Sequence, residues 1–290
     1  MAVPVTELDP LMKYRAVLAP MEGVMSPWFI RACGRLRLVD HWITPFFSVT
    51  GGAVPSKRII RKRLAPYLET GVPITAQVLG KDPCNVVKCA VHLVQTGLVA
   101  GINLNFSCPS TTVTGNGAGS ALLDQLETVE SITAEVRKEL PETVPLSVKL
   151  RSGVCTPAPG DVVKAAVNGG AELIIFHYRT KEEMYHPVKN GWERIRQAVE
   201  AAGNIPVIGN GDICSVSDAE RMIAGTDCRS VALARAFLGN PTLIHQINGK
   251  SDDRMIDLAE EMRRENAPES TIRAIGRLIR LQKQSAETGS

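Results

Sequence analysis

Several polar side chains sit where apolar β-runs end, and their types suit a ligand-binding or catalytic site rather than packing. The ends carry Pro20-Met21-Glu22, Gln77, Asn103 and Asn105, Lys149 and Arg151, and His177 and Arg179. The last two open into Asn210-Gly211-Asp212 and Ala234-Arg235. Polar groups embedded in apolar strands are costly unless they meet partners. An amide, a lysine, a histidine and arginines converging on one rim therefore read as a site. Cys108 follows the fourth run in Asn105-Phe106-Ser107-Cys108-Pro109, beside the glycine-rich Thr114–Ser120. A thiol in such a place can act as an acid, a base or a nucleophile; with a free pKa of about 8.5 it is mostly protonated near neutrality and can donate that proton. Gly209-Asn210-Gly211 and Ala234-Arg235 have the form of a phosphate site, because glycine lets backbone N–H groups approach an anion and Arg235 adds charge. The ligand so implied is a phosphorylated cofactor.

The elements that must position these residues alternate. Eight apolar runs (Arg15–Pro20, Trp42–Phe46, Pro73–Gly80, Gly101–Phe106, Pro145–Arg151, Glu172–His177, Ile205–Gly209 and Arg229–Leu233) are separated by segments with room for crossover helices. Helical patterns occur at Pro83–Thr96, Thr128–Glu139, Gly160–Asn168, Trp192–Ala201 and Val216–Ala224. Continuous apolar runs joined by crossovers are the pattern of a buried parallel sheet. Eight such units predict an α/β fold, a TIM (β/α)8 barrel with its site at the C-terminal strand ends. A doubly wound sheet would place a glycine-rich loop after its first strand, where this chain has Pro20-Met21-Glu22-Gly23. The expected organisation is a catalytic barrel over 1–248 and a short helical domain over 249–290. The latter holds two helix-like stretches, Met255–Asn266 and Glu269–Gln284.

Composition excludes other classes. With 290 residues, 44% hydrophobic and 22% charged, the chain is neither disordered nor repetitive. No run is long and apolar enough for a membrane helix, and the first residues do not have the form of a secretory signal. Seven cysteines at scattered spacing argue against a disulfide framework and for a reducing, cytoplasmic setting. Cys84, Cys89 and His92 lack a fourth ligand, so no metal is expected. Net charge is only +3, yet Lys57-Arg58-Ile59-Ile60-Arg61-Lys62-Arg63 packs five cations into seven residues, read as a solvated loop or a nucleic-acid contact. Arg273, Arg277 and Arg280 recur at helical spacing, with no acid between Ser270 and Ala286.

Leu18-Ala19-Pro20-Met21-Glu22-Gly23-Val24, Cys108-Pro109-Ser110 and Val113–Leu123 resemble the tRNA-dihydrouridine synthases. Val148-Lys149-Leu150-Arg151, His177-Tyr178-Arg179-Thr180 and Gly239-Asn240-Pro241 extend the likeness in order, and the first two motifs are most similar to the bacterial C-type branch, whose members modify the D-loop. The resemblance implies an FMN-binding barrel, NADPH as reductant, and tRNA as partner of a monomer. It implies that Pro20, Met21, Glu22, Gln77, Lys149 and His177 contact the flavin, and that Asn210, Gly211, Asp212, Ala234 and Arg235 hold its phosphate. Cys108 would be the general acid, and Asn105, Arg151 and Arg179 would meet the substrate.

The chemistry follows from uracil, whose C5=C6 bond is conjugated to the C4 carbonyl. Hydride enters at C6 and a proton at C5. The alternatives are a dihydroorotate-type FMN dehydrogenase, whose cysteine loop is similar, and a non-catalytic flavin- or RNA-binding protein. Three positions depart from the family pattern. Tyr178 stands where a glycine is usual and is expected to alter the flavin edge or base pocket. Ala234 stands where the phosphate turn usually has glycine. Only about two helices fit after Gly249, where about four are usual.

Overall fold

The structure is a computed structural model and describes residues 9–287. In chain order, β1 (Ala16–Leu18), α1 (Pro27–Arg35), β2 (Trp42–Ile43), β3 (Phe47–Ser48) and α2 (Lys57–Leu68) come first. Next are β4 (Ile74–Leu79), α3 (Pro83–Val94), β5 (Gly101–Phe106), α4 (Thr111–Thr114), a 3-10 turn at Gly119–Asp124, and α5 (Leu126–Glu139). Then follow β6 (Leu146–Arg151), α6 (Pro159–Asn168), β7 (Leu173–His177), α7 (Gly191–Ala202), β8 (Val207–Asn210), α8 (Val216–Thr226) and β9 (Ser230–Leu233). The chain closes with α9 (Arg235–Gly239), α10 (Leu243–Ile247), α11 (Leu258–Arg264) and α12 (Glu269–Glu287).

All pairings are parallel, in the order β1-β9-β8-β7-β6-β5-β4-β2, with β3 also on β4. The ring is a nearly closed TIM-type barrel whose one gap in the ladder lies between β1 and β2. The second expected strand is two short ones. Thr44 N still donates to Thr75 O, but Pro45 has no N–H to continue the ladder.

Local chemistry sets the helix starts. Ser26 Oγ accepts from Phe29 N ahead of Pro27 in α1, and Asp82 Oδ1 accepts from Asn85 N ahead of Pro83 in α3; proline at the first helical position forfeits nothing, since its N–H would have no partner there. Lys57–Arg63 is not a loop but the first half of α2. Ser56 caps it, and Ile60, Leu64 and Tyr67 are buried on one side.

The floor of the barrel is apolar. A 3-10 turn at Pro10–Lys13, capped by Asp9 Oδ1 accepting from Leu11 N at 2.9 Å, inserts Leu11 and Met12 among Val17, Ile43, Leu173, Ile175 and Ile208. After Gly249 the chain returns to the barrel wall, α11 packing on α1 and α12 on α9. No helix among the described residues is long and apolar enough to cross a membrane.

Candidate active site

Above the apolar floor, strand register lines up the polar side chains. Gln77 on β4 is level with Asn103 on β5, which is level with Ser147 on β6. One step higher, Asn105 is level with Lys149; higher again, Arg151, His177, Asn210 and Ala232 form a row across β6 to β9. Side chains in register on parallel strands face the same way, so these rows look into the barrel mouth. They open on a cavity of about 700 Å³ whose lining includes Pro20, Met21, Glu22, Gln77, Asn105, Cys108, Lys149, Arg151 and His177, together with Asn210, Gly211, Asp212, Ala234 and Arg235.

A buried chain of hydrogen bonds fixes the cysteine. Asn103 donates to Ser147 Oγ (2.8 Å), Gln77 Nε2 to Asn103 Oδ1 (2.7 Å), and Asn105 Nδ2 to Gln77 Oε1 (2.7 Å). Asn105 Oδ1 then accepts from both Ser107 N and Cys108 N, each at 2.9 Å. Asn105 thus spends its oxygen on the cysteine loop, a role its spacing alone did not disclose. Lys149 Nζ donates to Ser107 Oγ (3.1 Å) and Arg151 Nε to Ser107 O (2.9 Å). Arg151 Nη1 also donates to Thr180 O and Met184 O, tying the loop after β5 to the loop after β7. On the far side, Ser120 N and Oγ both donate to Cys108 O. Gly119 makes that approach possible: its φ is +61°, and a Cβ there would lie 2.8 Å from Cys108 O.

Burial dominates the electrostatics. It pushes the Cys108 thiol up, with Lys149 and Arg151 only partly offsetting it, so the thiol keeps its proton at neutral pH. Burial, then the neighbouring Arg151, bring Lys149 down to about 7. His177 is held well below its usual value by burial and by Arg151, Lys149, Arg179 and Arg235, and is therefore neutral. Glu22 is raised by burial and lowered by Arg63.

Two expectations need correcting. Arg179 does not line the cavity. It lies past the end of β7, donates to His186 O at 2.7 Å, and pairs with Asp212 Oδ2 at 2.5 Å behind the rim. Tyr178 is not among the residues lining the cavity either. Its ring lies between Gly191 and Gly211, where a Cβ on Gly211 would come within 2.3 Å of it, and its hydroxyl donates to Asp212 Oδ2. Asp212, at φ +47°, turns its carboxylate toward Tyr178, Arg179 and Arg235 rather than presenting a bare charge to the cavity. Sequence reasoning missed Tyr185, an exposed ring at the mouth on which Arg151 (5.6 Å) and Arg235 (5.0 Å) both rest. It also missed Leu278, which reaches the cavity from α12. Tyr185 stood in a long irregular segment and Leu278 on a tail helix, and neither place carried a local signal. Of the other cysteines, Cys214 also lines the cavity, whereas Cys89 is buried on α3, and His92 Nδ1 is 3.1 Å from Pro55 O.

Residues 17–284 match the family model described as dihydrouridine synthase. The tRNA-dihydrouridine(16) synthase of Haemophilus influenzae is 33% identical over 245 residues, covering 82% of this chain and 78% of that protein. Its namesakes from Haemophilus ducreyi and Cupriavidus necator are each 33% identical, covering 79% and 82% of this chain and 71% and 74% of theirs. Among solved structures, a FabK mutant from Thermotoga maritima aligns with a TM-score of 0.50 at 12% identity, over 82% of this chain and 66% of that one. That likeness concerns the barrel fold alone.

Proposed function

The chain belongs to the dihydrouridine synthase family, and from that premise we propose that it reduces a uridine of tRNA, at position 16 as in its named relatives, to 5,6-dihydrouridine. The observation that carries the reading is the Cys108 thiol, its backbone clamped by Asn105 and Ser120 at the wall of a cavity that also holds Lys149 and Arg151.

The cavity fits FMN in size and in chemistry. Met21, Leu233 and Leu238 offer apolar surface to a flat ring system, with Gln77, Lys149 and neutral His177 at its polar edge. At the other end Asn210, Gly211, Ala234 and Arg235 suit the phosphate, since α9 begins at Arg235 with no side chain capping it. The Asp212 carboxylate nearby is compensated by Arg179 and Arg235. FMN held there, recharged by NADPH, would supply the hydride that enters uracil C6.

The protein supplies orientation and the proton. Cys108 donates its thiol proton to C5, where negative charge develops as C6 gains hydride, and burial of the thiol keeps that proton in place until then. Lys149, poised near neutrality, gains a proton readily when anionic charge approaches it. Arg151 holds the cysteine loop through Ser107 O and leaves Nη2 for a uracil carbonyl. The target base must leave the RNA stack to reach this depth. We assign this chemistry to residues 1–248 and RNA contact largely to 249–290, in a monomeric cytoplasmic enzyme. The test is direct: purified protein with FMN, NADPH and a tRNA transcript should yield dihydrouridine by nucleoside mass spectrometry. Turnover of free dihydroorotate without any product in tRNA would refute the reading.

A further inference from the structure

Several surface arginines of this protein are ion-paired, among them Arg31 with Glu69, Arg35 with Glu261 and Glu265, Arg221 with Asp218, and Arg263 with Glu260. The start of α2 breaks the pattern. Lys57, Arg58, Arg61 and Lys62 are exposed and pair with no acid among the described residues. Their spacing places them on one face of the helix, away from buried Ile60, Leu64 and Tyr67. Arg63 is of another kind. It turns inward, stacking 4.1 Å over the Phe47 ring and donating to Phe46 O, and Phe46 lines the cavity.

This face lies at the catalytic rim. β3 runs parallel to β4 and ends with Ser48 beside Leu79, at the end of the barrel where the site opens. Val49 packs against Gly80, so closely that a Cβ on Gly80 would meet its side chain at 2.5 Å. Lys81 comes next, exposed and also unpaired. Its Nζ is 3.7 Å from where a Cβ on Gly117 would stand, in the loop that follows Cys108. At 1.5 Å per residue, the four cations of α2 lie within about 8 Å of that helix's start. A second set, Arg273, Arg277 and Arg280, without an ion pair among the described residues, lies on α12, whose Leu278 reaches the same cavity. The two sets are separate, because α12 packs on α9 and α11 while α2 packs on α1 and α3.

We propose that Lys57, Arg58, Arg61 and Lys62 of α2, with Lys81, form a phosphate-contacting track that holds the RNA backbone on one side of the flipped uridine. This rests on the uridine-reduction reading above and adds where the polynucleotide runs. A base that enters the cavity draws its flanking strand over the rim, and phosphates supply the anions that these cations lack within the protein. With only 4% aromatic residues the chain has few rings for stacking, so backbone charge carries most of the contact.

The test replaces Lys57, Arg58, Arg61 and Lys62 together by alanine, which favours helix and leaves the buried face of α2 intact. Affinity for a tRNA transcript is then measured at several salt concentrations. Each phosphate contact contributes roughly 0.7–0.9 to the slope of log affinity against log salt, so four contacts flatten it by about 3. The flavin spectrum and turnover at saturating RNA should be unchanged. Arg58→Gln with Arg61→Gln, a milder pair, should flatten the slope by about half as much. Unchanged slopes in both variants would overturn the track while leaving uridine reduction standing. An unsubstituted protein that neither binds nor reduces tRNA would overturn the track together with the reading beneath it.

Discussion

Replacing Asn105 by alanine separates two roles that the site could assign to it, holding the cysteine loop or touching the base. The side chain makes three hydrogen bonds, to Gln77 Oε1 (2.7 Å) and from Ser107 N and Cys108 N (2.9 Å each), in a position 6% exposed. A typical bond contributes about 1 kcal/mol net, and a buried partner left unpaired costs about 1–3 kcal/mol. Losing all three therefore destabilises by about 3 kcal/mol. For a chain of this size that lowers Tm by about 5 °C. The catalytic effect comes through position, since Ser107 and Cys108 lose their anchor. A displacement of about 1 Å in a reacting group costs on the order of 10²-fold in rate. Thermal unfolding followed by absorbance, steady-state reduction of tRNA, and the alkylation rate of Cys108 together read the outcome. Asn105→Ala should lower Tm and kcat and change thiol reactivity, with KM nearly constant. An unchanged Tm and thiol with a raised KM would refute the anchoring argument and return Asn105 to a base contact.

Other outcomes follow from the same geometry. Cys108→Ala should retain flavin and its reduction by NADPH while slowing uridine reduction by roughly 10²–10⁴-fold, read by separate half-reaction kinetics. Lys149→Met should weaken flavin retention yet raise Tm. Because the folded pKa is depressed to about 7, burying the ammonium is a penalty felt fully below pH 7 and lost as pH rises toward the unfolded value. The gain in Tm should accordingly be largest at pH 6–7 and shrink by pH 10. Gly211→Ala should destabilise by more than about 1 kcal/mol, from its φ of +142° and the clash with Tyr178. Part of that loss should return in the double variant with Tyr178→Ala, measured by denaturant unfolding.

Much of the barrel was legible because buried parallel strands leave continuous apolar runs: β4 to β7 and β9 fall within the expected stretches, and β8 runs one residue past its own. Polar residues at their ends betrayed the cavity, since Gln77, Lys149 and His177 had no reason to interrupt such runs. Helix α2 was misread because its cations dominate the local composition, although Ile60, Leu64 and Tyr67 repeat at helical spacing. Helix α1 escaped despite a plain start at Ser26-Pro27. Arg179 was misassigned for a different reason. Past the strand end its direction depends on Asp212, 33 residues further on, and no local pattern reports such a pair. Tyr178 was misjudged in the same way, its ring accommodated by glycines at positions 191 and 211 that only the fold brings together.

Whether this cavity, through Cys108, reduces uridine in tRNA is decided by nucleoside mass spectrometry of tRNA from cells with the gene, without it, and carrying Cys108→Ala. Dihydrouridine at position 16 should disappear on deletion, return with the unsubstituted gene, and not return with Cys108→Ala. Undiminished dihydrouridine at that position after deletion, or full restoration by Cys108→Ala, would contradict that role.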